Sequence, residues 1–219
     1  MWRGLLVLGL VVSLLLRAAP TDAADCLECK KATGTLVDGA GRSLGTVQLE
    51  QVSRGIIVRI AAKGLPVGTH GLHLHEVGRC DGPDFMSAGA HFNPTNARHG
   101  AENDAGPHAG DLPNLVAGAD GSATYTVTTM AVTLTAGPAN LLDANGTAVI
   151  IHTNADDNRT DPTGNSGGRI ACAVLTEAAT LPGLPNTGAG GLATSGLVAG
   201  GALLALPLLL LYFRRRWSD

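Results

Sequence analysis

Thr69-His70-Gly71-Leu72-His73-Leu74-His75-Glu76 reads as a strand with two histidines two residues apart. Side chains alternate between faces along a strand, so His73 and His75 project from one face, near enough to share a metal ion. Residues 46–50, 55–61, 123–129 and 148–153 are further β-branched runs bounded by turn residues. Asp38-Gly39 and Asp120-Gly121 supply hairpin-type turns between neighbouring runs. Short strands at this spacing predict an all-β domain, an antiparallel sandwich or barrel. The domain shows no amphipathic helical pattern and no internal repeat. Two segments, 78–111 and 153–169, are too long and too rich in Gly, Pro, Asn and Asp to be simple connectors. Structureless segments of that length in a compact domain are functional or disordered.

The ends of the 219-residue chain read differently from its middle. Residues 1–24 carry Arg3, an apolar stretch over 5–16 and a small-residue exit, the pattern of a secretory signal peptide. At ~1.5 Å per residue that stretch is too short to cross ~30 Å of hydrocarbon. Residues 188–213 are uncharged and long enough to span a bilayer, and Arg214-Arg215-Arg216 follows. The basic tail orients everything before it to the outside. Leu184-Pro185-Asn186-Thr187-Gly188 stands just upstream. Motif, apolar span and basic tail together resemble a Gram-positive cell-wall sorting signal cut by a sortase between Thr187 and Gly188. An ordinary membrane anchor on a Pro/Gly tether is the alternative. The expected order is signal peptide 1–24, an N-terminal segment 25–32 with Cys26-x-x-Cys29, a domain over 33–176, a linker 177–188, a transmembrane segment 189–213 and a cytoplasmic tail 214–219. Net charge is −3 and no basic cluster lies outside the tail, which excludes nucleic acid as a partner.

All seven histidines fall in the middle domain. Beyond His73 and His75, His91, His99 and His108 are spaced along the first long segment with Asp111 close behind. Three imidazoles and a carboxylate form a closed tetrahedral set suited to zinc. His152 follows the apolar run 148–151 and reaches the others only through the fold.

The stretches His70-Gly-Leu-His73-Leu-His75-Glu76, Ser87-Ala-Gly-Ala-His91-Phe-Asn-Pro94, His99-Gly100, His108-Ala-Gly-Asp111-Leu-Pro-Asn114, Val149-Ile-Ile-His152, Asp156-Asp157 and Thr163-Gly-Asn-Ser-Gly-Gly-Arg169-Ile-Ala-Cys172 resemble the copper/zinc superoxide dismutase family. They occur in that family's order and spacing over most of the domain. The resemblance implies an eight-stranded Greek-key barrel, flattened and sandwich-like, with two long functional loops. It implies copper on His73, His75, His91 and His152, and zinc on His91, His99, His108 and Asp111, with His91 bridging as an imidazolate. Asp156 would fix His73 and His99 from outside the ligand sets. Arg169 would stand beside the open copper position and Thr163 would narrow the channel; His70 would be structural. Dismutation of superoxide to O2 and H2O2 is the implied reaction, protecting the cell surface. A fixed guanidinium at the base of a narrow channel raises the local concentration of a small anion. A salt bridge to a loop Asp is the alternative role for Arg169. Expected partners are superoxide, a sortase or the membrane, and a second copy in a homodimer.

The resemblance also implies a Cys80–Cys172 disulfide, which oxidising surroundings outside the cell favour. Cys26 and Cys29 lie outside the matching stretches and admit a local disulfide, metal capture or a redox pair. Residues 158–162 depart from the Glu- and Lys-rich segment of some animal members, leaving Arg159 as the substitute source of guiding charge. Two rival readings are a non-enzymatic copper carrier on this fold and a copper-only member. The complete sets and Arg169 speak against both.

Overall fold

The computed structural model describes residues 30–178. The signal peptide, Cys26 and Cys29, the sorting motif, the apolar span and the basic tail lie outside the described residues.

The expected all-β domain is present. Its strands are β1 (Lys31–Asp38), β2 (Ser43–Val52), β3 (Gly55–Ala62), β4 (Gly68–His75), β5 (Asp111–Ala117), β6 (Ala123–Thr129), β7 (Ala148–His152), β8 (Arg169–Val174) and the two-residue β9 (Thr176–Glu177). Eight of them follow the path β5-β4-β7-β8-β1-β2-β3-β6, all antiparallel, while β9 returns to β1. β5 and β6 end the path yet are joined by the tight turn at Asp120-Gly121, where Gly118 N–H donates to Ser122 O at 2.8 Å. The sheet is thereby nearly closed into an eight-stranded barrel. Pro113 sits in β5, an end strand of the path, where a missing N–H costs the ladder least.

Inward and outward residues alternate as period two requires. β1 buries Ala32 and Leu36, β2 Val47 and Leu49, and β3 Ile56, Val58, Ile60 and Ala62. β7 differs because every residue in it is buried. Val149 and Ile151 join the barrel core, whereas Ala148 and Ile150 pack with Phe85, Ala88 and Cys172 in a second cluster. β4 is built alike, with Leu72 and Leu74 in the barrel core. His73 pairs across with Ile150 and His75 with Ala148, so both histidines share the outward face of β7. That face is roofed by the segment between β4 and β5. The site therefore lies outside the barrel, beneath a loop.

Candidate metal centre

Three anchors fold the first long segment back over β4. His75 and His91 form an isolated antiparallel bridge. Phe92 N–H donates to Leu74 O at 2.8 Å, and Leu74 N–H to Gly110 O at 2.9 Å. The Cys80–Cys172 disulfide, spanning 92 residues, ties the segment to β8. The second segment is held to β4 by an irregularity of the ladder. Register shifts between His70 and Leu72, and Gly71 N–H donates instead to Asn154 O at 2.7 Å. A second shift falls between Ile151 and His152. Such irregularities beside a site re-aim the neighbouring side chains. A Cβ on Gly71 would stand 2.8 Å from Ser166 Cβ, so a side chain there would keep the second loop off the strand.

These elements collect the histidines into one cluster. Ligand atoms of His73, His75, His91 and His152 all lie within 4.8 Å of one another, as do those of His73, His91, His99 and Asp111. His73 and His91 both belong to both groups, and their rings stack at 3.9 Å. His108 adjoins the second group rather than falling inside it. Its Nδ1 lies 3.3 Å from Asp111 Oδ1 and 3.4 Å from His91 Nδ1.

The first group is starved of partners. His73 Nδ1, His75 Nε2, His91 Nε2 and His152 Nε2 are buried without a hydrogen bond. The opposite nitrogens are occupied: His73 Nε2 on Asp156 Oδ2 at 2.7 Å, His75 Nδ1 on Gly89 O at 3.0 Å and His152 Nδ1 on Gly167 O at 3.2 Å. Donation from those nitrogens turns a lone pair of each ring into the cluster. Burial and then neighbouring positive charge push His75 down to about 2 and His152 to about 3; burial brings His91 to about 4 and also lowers His73. The rings are neutral at pH 7, the form in which imidazole binds a metal. Each unmet buried nitrogen costs about 1–3 kcal/mol. Four facing one another make sense around a cation suited to imidazole, copper or zinc.

The second group is charged instead. Asp111 Oδ1 lies 2.9 Å from His91 Nδ1, and Oδ2 lies 3.1 Å from His99 Nδ1. Oδ2 also accepts the backbone N–H of Gly100 at 3.0 Å and of His108 at 2.9 Å. Burial alone would raise Asp111, but the bonds from His91 and His99 hold it well below the usual carboxylate range. His99 Nε2 lies 3.0 Å from Asp156 Oδ1, while its Nδ1, near Asp111, is buried without a hydrogen bond like the nitrogens of the first group. Burial opposes its charge, yet the two carboxylates prevail and raise it to about 9. The converging Nδ1 atoms and carboxylate need positive charge between them. A divalent ion fits, and three imidazoles with one carboxylate are a donor set zinc takes.

Asp156 touches both groups through His73 and His99, the position expected for it. Its own pKa is held low by those bonds against burial. Gly164, at φ +60°, lets the second loop close over this clamp, since a Cβ would collide with Asp156 Oδ1. Asn114 brackets the loop by accepting Asp156 N–H at 2.8 Å and donating to Asp156 O at 2.9 Å.

A cleft of ≈ 710 Å3 reaches His91 from solvent, with Thr163, Arg169, Glu76, Asn93 and Asp161 in its walls. Arg169 donates to Phe85 O and Gly89 O, each at 2.7 Å. Among the described residues its guanidinium makes no ion pair, so the alternative salt bridge is not formed, and Asp84 is the acid whose charge acts on it. Gly89 O serves His75 as well, linking the arginine to the histidine cluster. Phe85 presents its carbonyl from the left-handed region, φ 56°, an uncommon conformation for a bulky side chain. Sequence patterning offers no signal for such backbone contacts. Arg159 pairs with Glu102 at 2.7 Å on the exposed surface and is not among the cleft residues. His70 faces the carbonyls of His152 at 2.8 Å and Pro66 at 2.8 Å, away from both groups, consistent with a structural role.

The chain is similar to proteins of a known family. Residues 43–175 match the family described as copper/zinc superoxide dismutase (SODC). The chain is 42% identical over 147 residues to "Superoxide dismutase [Cu-Zn] 1" of Aquifex aeolicus, covering 66% of this chain and 87% of that one. It is 45% identical over 143 residues to "Superoxide dismutase-like protein YojM" of Bacillus subtilis, covering 64% and 73% respectively. The crystal structure of a SOD-like protein from Bacillus subtilis superimposes with a TM-score of 0.64 at 42% identity, covering 66% of this chain and 97% of that one.

Proposed function

The chain belongs to the copper/zinc superoxide dismutase family, oxidoreductases with copper and zinc as cofactors, and on that premise we propose that His91 offers one ring nitrogen to each metal. His73, His75 and His152 complete the copper set through the buried nitrogens that lack partners. His99, His108 and Asp111 complete the zinc set. When bound, copper supplies a one-electron couple that oxidises one superoxide to O2 and reduces a second, with two protons, to H2O2, while zinc supplies fixed positive charge.

The side chains do the rest. Arg169 draws the anion down the cleft, and Thr163 narrows the cleft against larger species. Wedged between two donor groups, His91 Nε2 is buried without a partner, so whenever it is released from a metal it would be the atom to take up a proton. Asp156 keeps the rings of His73 and His99 in the tautomers that aim Nδ1 inward, as outer carboxylates do at metal sites. The single observation carrying the reading is the convergence of four buried, partnerless imidazole nitrogens, one of them on His91, which lines the same cleft as Arg169.

The domain loaded with both metals is expected to dismute superoxide, and His152→Ala is expected to abolish this while zinc stays bound. Activity surviving that substitution would refute the copper assignment.

The proposal places the enzyme on the extracellular face, anchored through its C-terminus and protecting the surface from extracellular superoxide. It rests on the sequence of the two ends, with the domain bounded by 33–176. Wall-digesting enzymes should release the protein without detergent; release by detergent alone would favour a plain membrane anchor. Sedimentation of the released domain tests the expected homodimer.

A further inference from the structure

The imidazole nitrogens turned away from the two donor groups on His73, His75, His99 and His152 each have a hydrogen-bond acceptor, and the exception, on His108, points to one residue without an assigned role. His73 and His99 use Asp156, His75 uses Gly89 O, and His152 uses Gly167 O. His91 needs none, because both its nitrogens face donor groups. His108 remains. Its Nδ1 faces Asp111, and 3.9 Å from its Nε2 stands Asp161 Oδ1. The same oxygen accepts the backbone N–H of His99 at 2.6 Å. Asp161 thus reaches from the second loop to two of the three histidines of the zinc-side group. Asp161 itself is exposed to solvent.

We propose that Asp161 is a positioning residue for zinc, a second carboxylate that seats the backbone of His99 and aims His108 by drawing its Nε2–H outward. The proposal rests on the zinc-side reading of the donor sets. Its physical basis is tautomer control: a neutral imidazole carries one proton, and holding that proton at Nε2 leaves Nδ1 free as a metal ligand. His108 is the ring that needs it, since it lies beside the tight donor group rather than within it. Asp156 performs this task for His99 at hydrogen-bond distance; Asp161 performs it for His108 from farther out. The segment 158–162, where the family resemblance departs from its Glu- and Lys-rich version, thereby acquires a task other than guiding the substrate.

Asp161→Asn separates the two contacts. An amide oxygen can still accept His99 N–H, but it carries no charge toward His108, and its NH2 would favour the wrong tautomer. The zinc dissociation constant, by chelator competition, and the visible spectrum of Co(II) bound in the zinc set should be read on the full domain. Asp161→Asn is expected to weaken zinc about 10–100-fold, as loss of an outer carboxylate does elsewhere, and to alter the Co(II) bands. Arg159→Ala, an exposed neighbour in the same loop, should change neither. Unchanged affinity and spectrum in Asp161→Asn would overturn the proposal. Independently of any variant, nitrogen NMR of the zinc-loaded parent should show His108 protonated at Nε2 with slow exchange, and fast solvent exchange there would overturn it too. If the parent binds no zinc, the zinc-side reading itself fails; if the parent binds and Asp161→Asn binds equally, only the role of Asp161 does.

Discussion

The copper and zinc sets proposed here meet at His91 but are built in opposite ways. Three of the copper-side residues, His73, His75 and His152, stand on β4 and β7, which pair directly and are buried on both faces. Their geometry is set by the ladder, and burial keeps the rings neutral. On the zinc side, His91, His99 and His108 come from the loop, and Asp111 opens β5. Only Asp111, paired with His73, belongs to a ladder; the three histidines are held by an isolated bridge, carboxylates, backbone amides and a disulfide. A strand can hold a ligand set ready before any ion arrives. A loop set must be assembled by charge, and the ion is then part of what keeps the loop in place.

The difference can be broken at several points. The largest effect should come from the disulfide. Replacing both Cys80 and Cys172 by Ala should cost about 4–5 kcal/mol for a closed loop near one hundred residues, less if the unfolded chain stays compact. Denaturant titration of the metal-free domain reads this. Zinc affinity should fall with stability, because the loop is the part untied. Next comes zinc removal. Zinc at a hundred times its dissociation constant should add about 2.7 kcal/mol, and amide exchange after chelation should speed up in 76–110 more than in β4 and β7. Equal deprotection of strands and loop would erase the distinction.

Gly164→Ala strikes the joint between the two groups. A Cβ there collides with Asp156 Oδ1 and lies 2.6 Å from His99 Nε2, at a left-handed φ that alanine resists. Losing that clamp should weaken zinc about 10–100-fold and copper as well, seen by competition titration of each metal. Arg169→Ile should leave both metal contents intact and lower the superoxide on-rate at least about tenfold, the low end of what focused charge provides. Pulse radiolysis over a range of salt concentrations would measure it. Arg159→Ala should be the mildest change, within about 1 kcal/mol of stability and with no change in rate, because its ion pair with Glu102 is exposed.

Legibility in the sequence obeys the same divide. The run 123–129 coincides with β6, and 69–76 is displaced from β4 by one residue at each end. Period two places His73 and His75 on one face without further help. β1 and β5 escape such reading: Lys31–Asp38 is sparsely apolar, and Asp111–Ala117 carries Pro113. The segment between β6 and β7 buries Leu134 and Leu141 completely with no regular strand to mark it. The loop-borne histidines are legible as a zinc-suited set from their clustering with Asp111, but the sharing of His91 with the strand histidines comes only through resemblance, since no periodicity governs a loop. The carbonyls of Phe85 and Gly89 that hold Arg169 leave no trace in side-chain identity, because any residue supplies a carbonyl. Asp161 is one of many loop aspartates until the fold sets it beside His108.

Magnetic resonance on the domain with Cu(II) in the copper set and Co(II) in the zinc set tests the central idea most directly. If His91 joins the two ions through its two nitrogens, their unpaired electrons couple across the ring and the isolated Cu(II) signal should be lost. An undiminished Cu(II) signal in fully loaded protein would contradict the account.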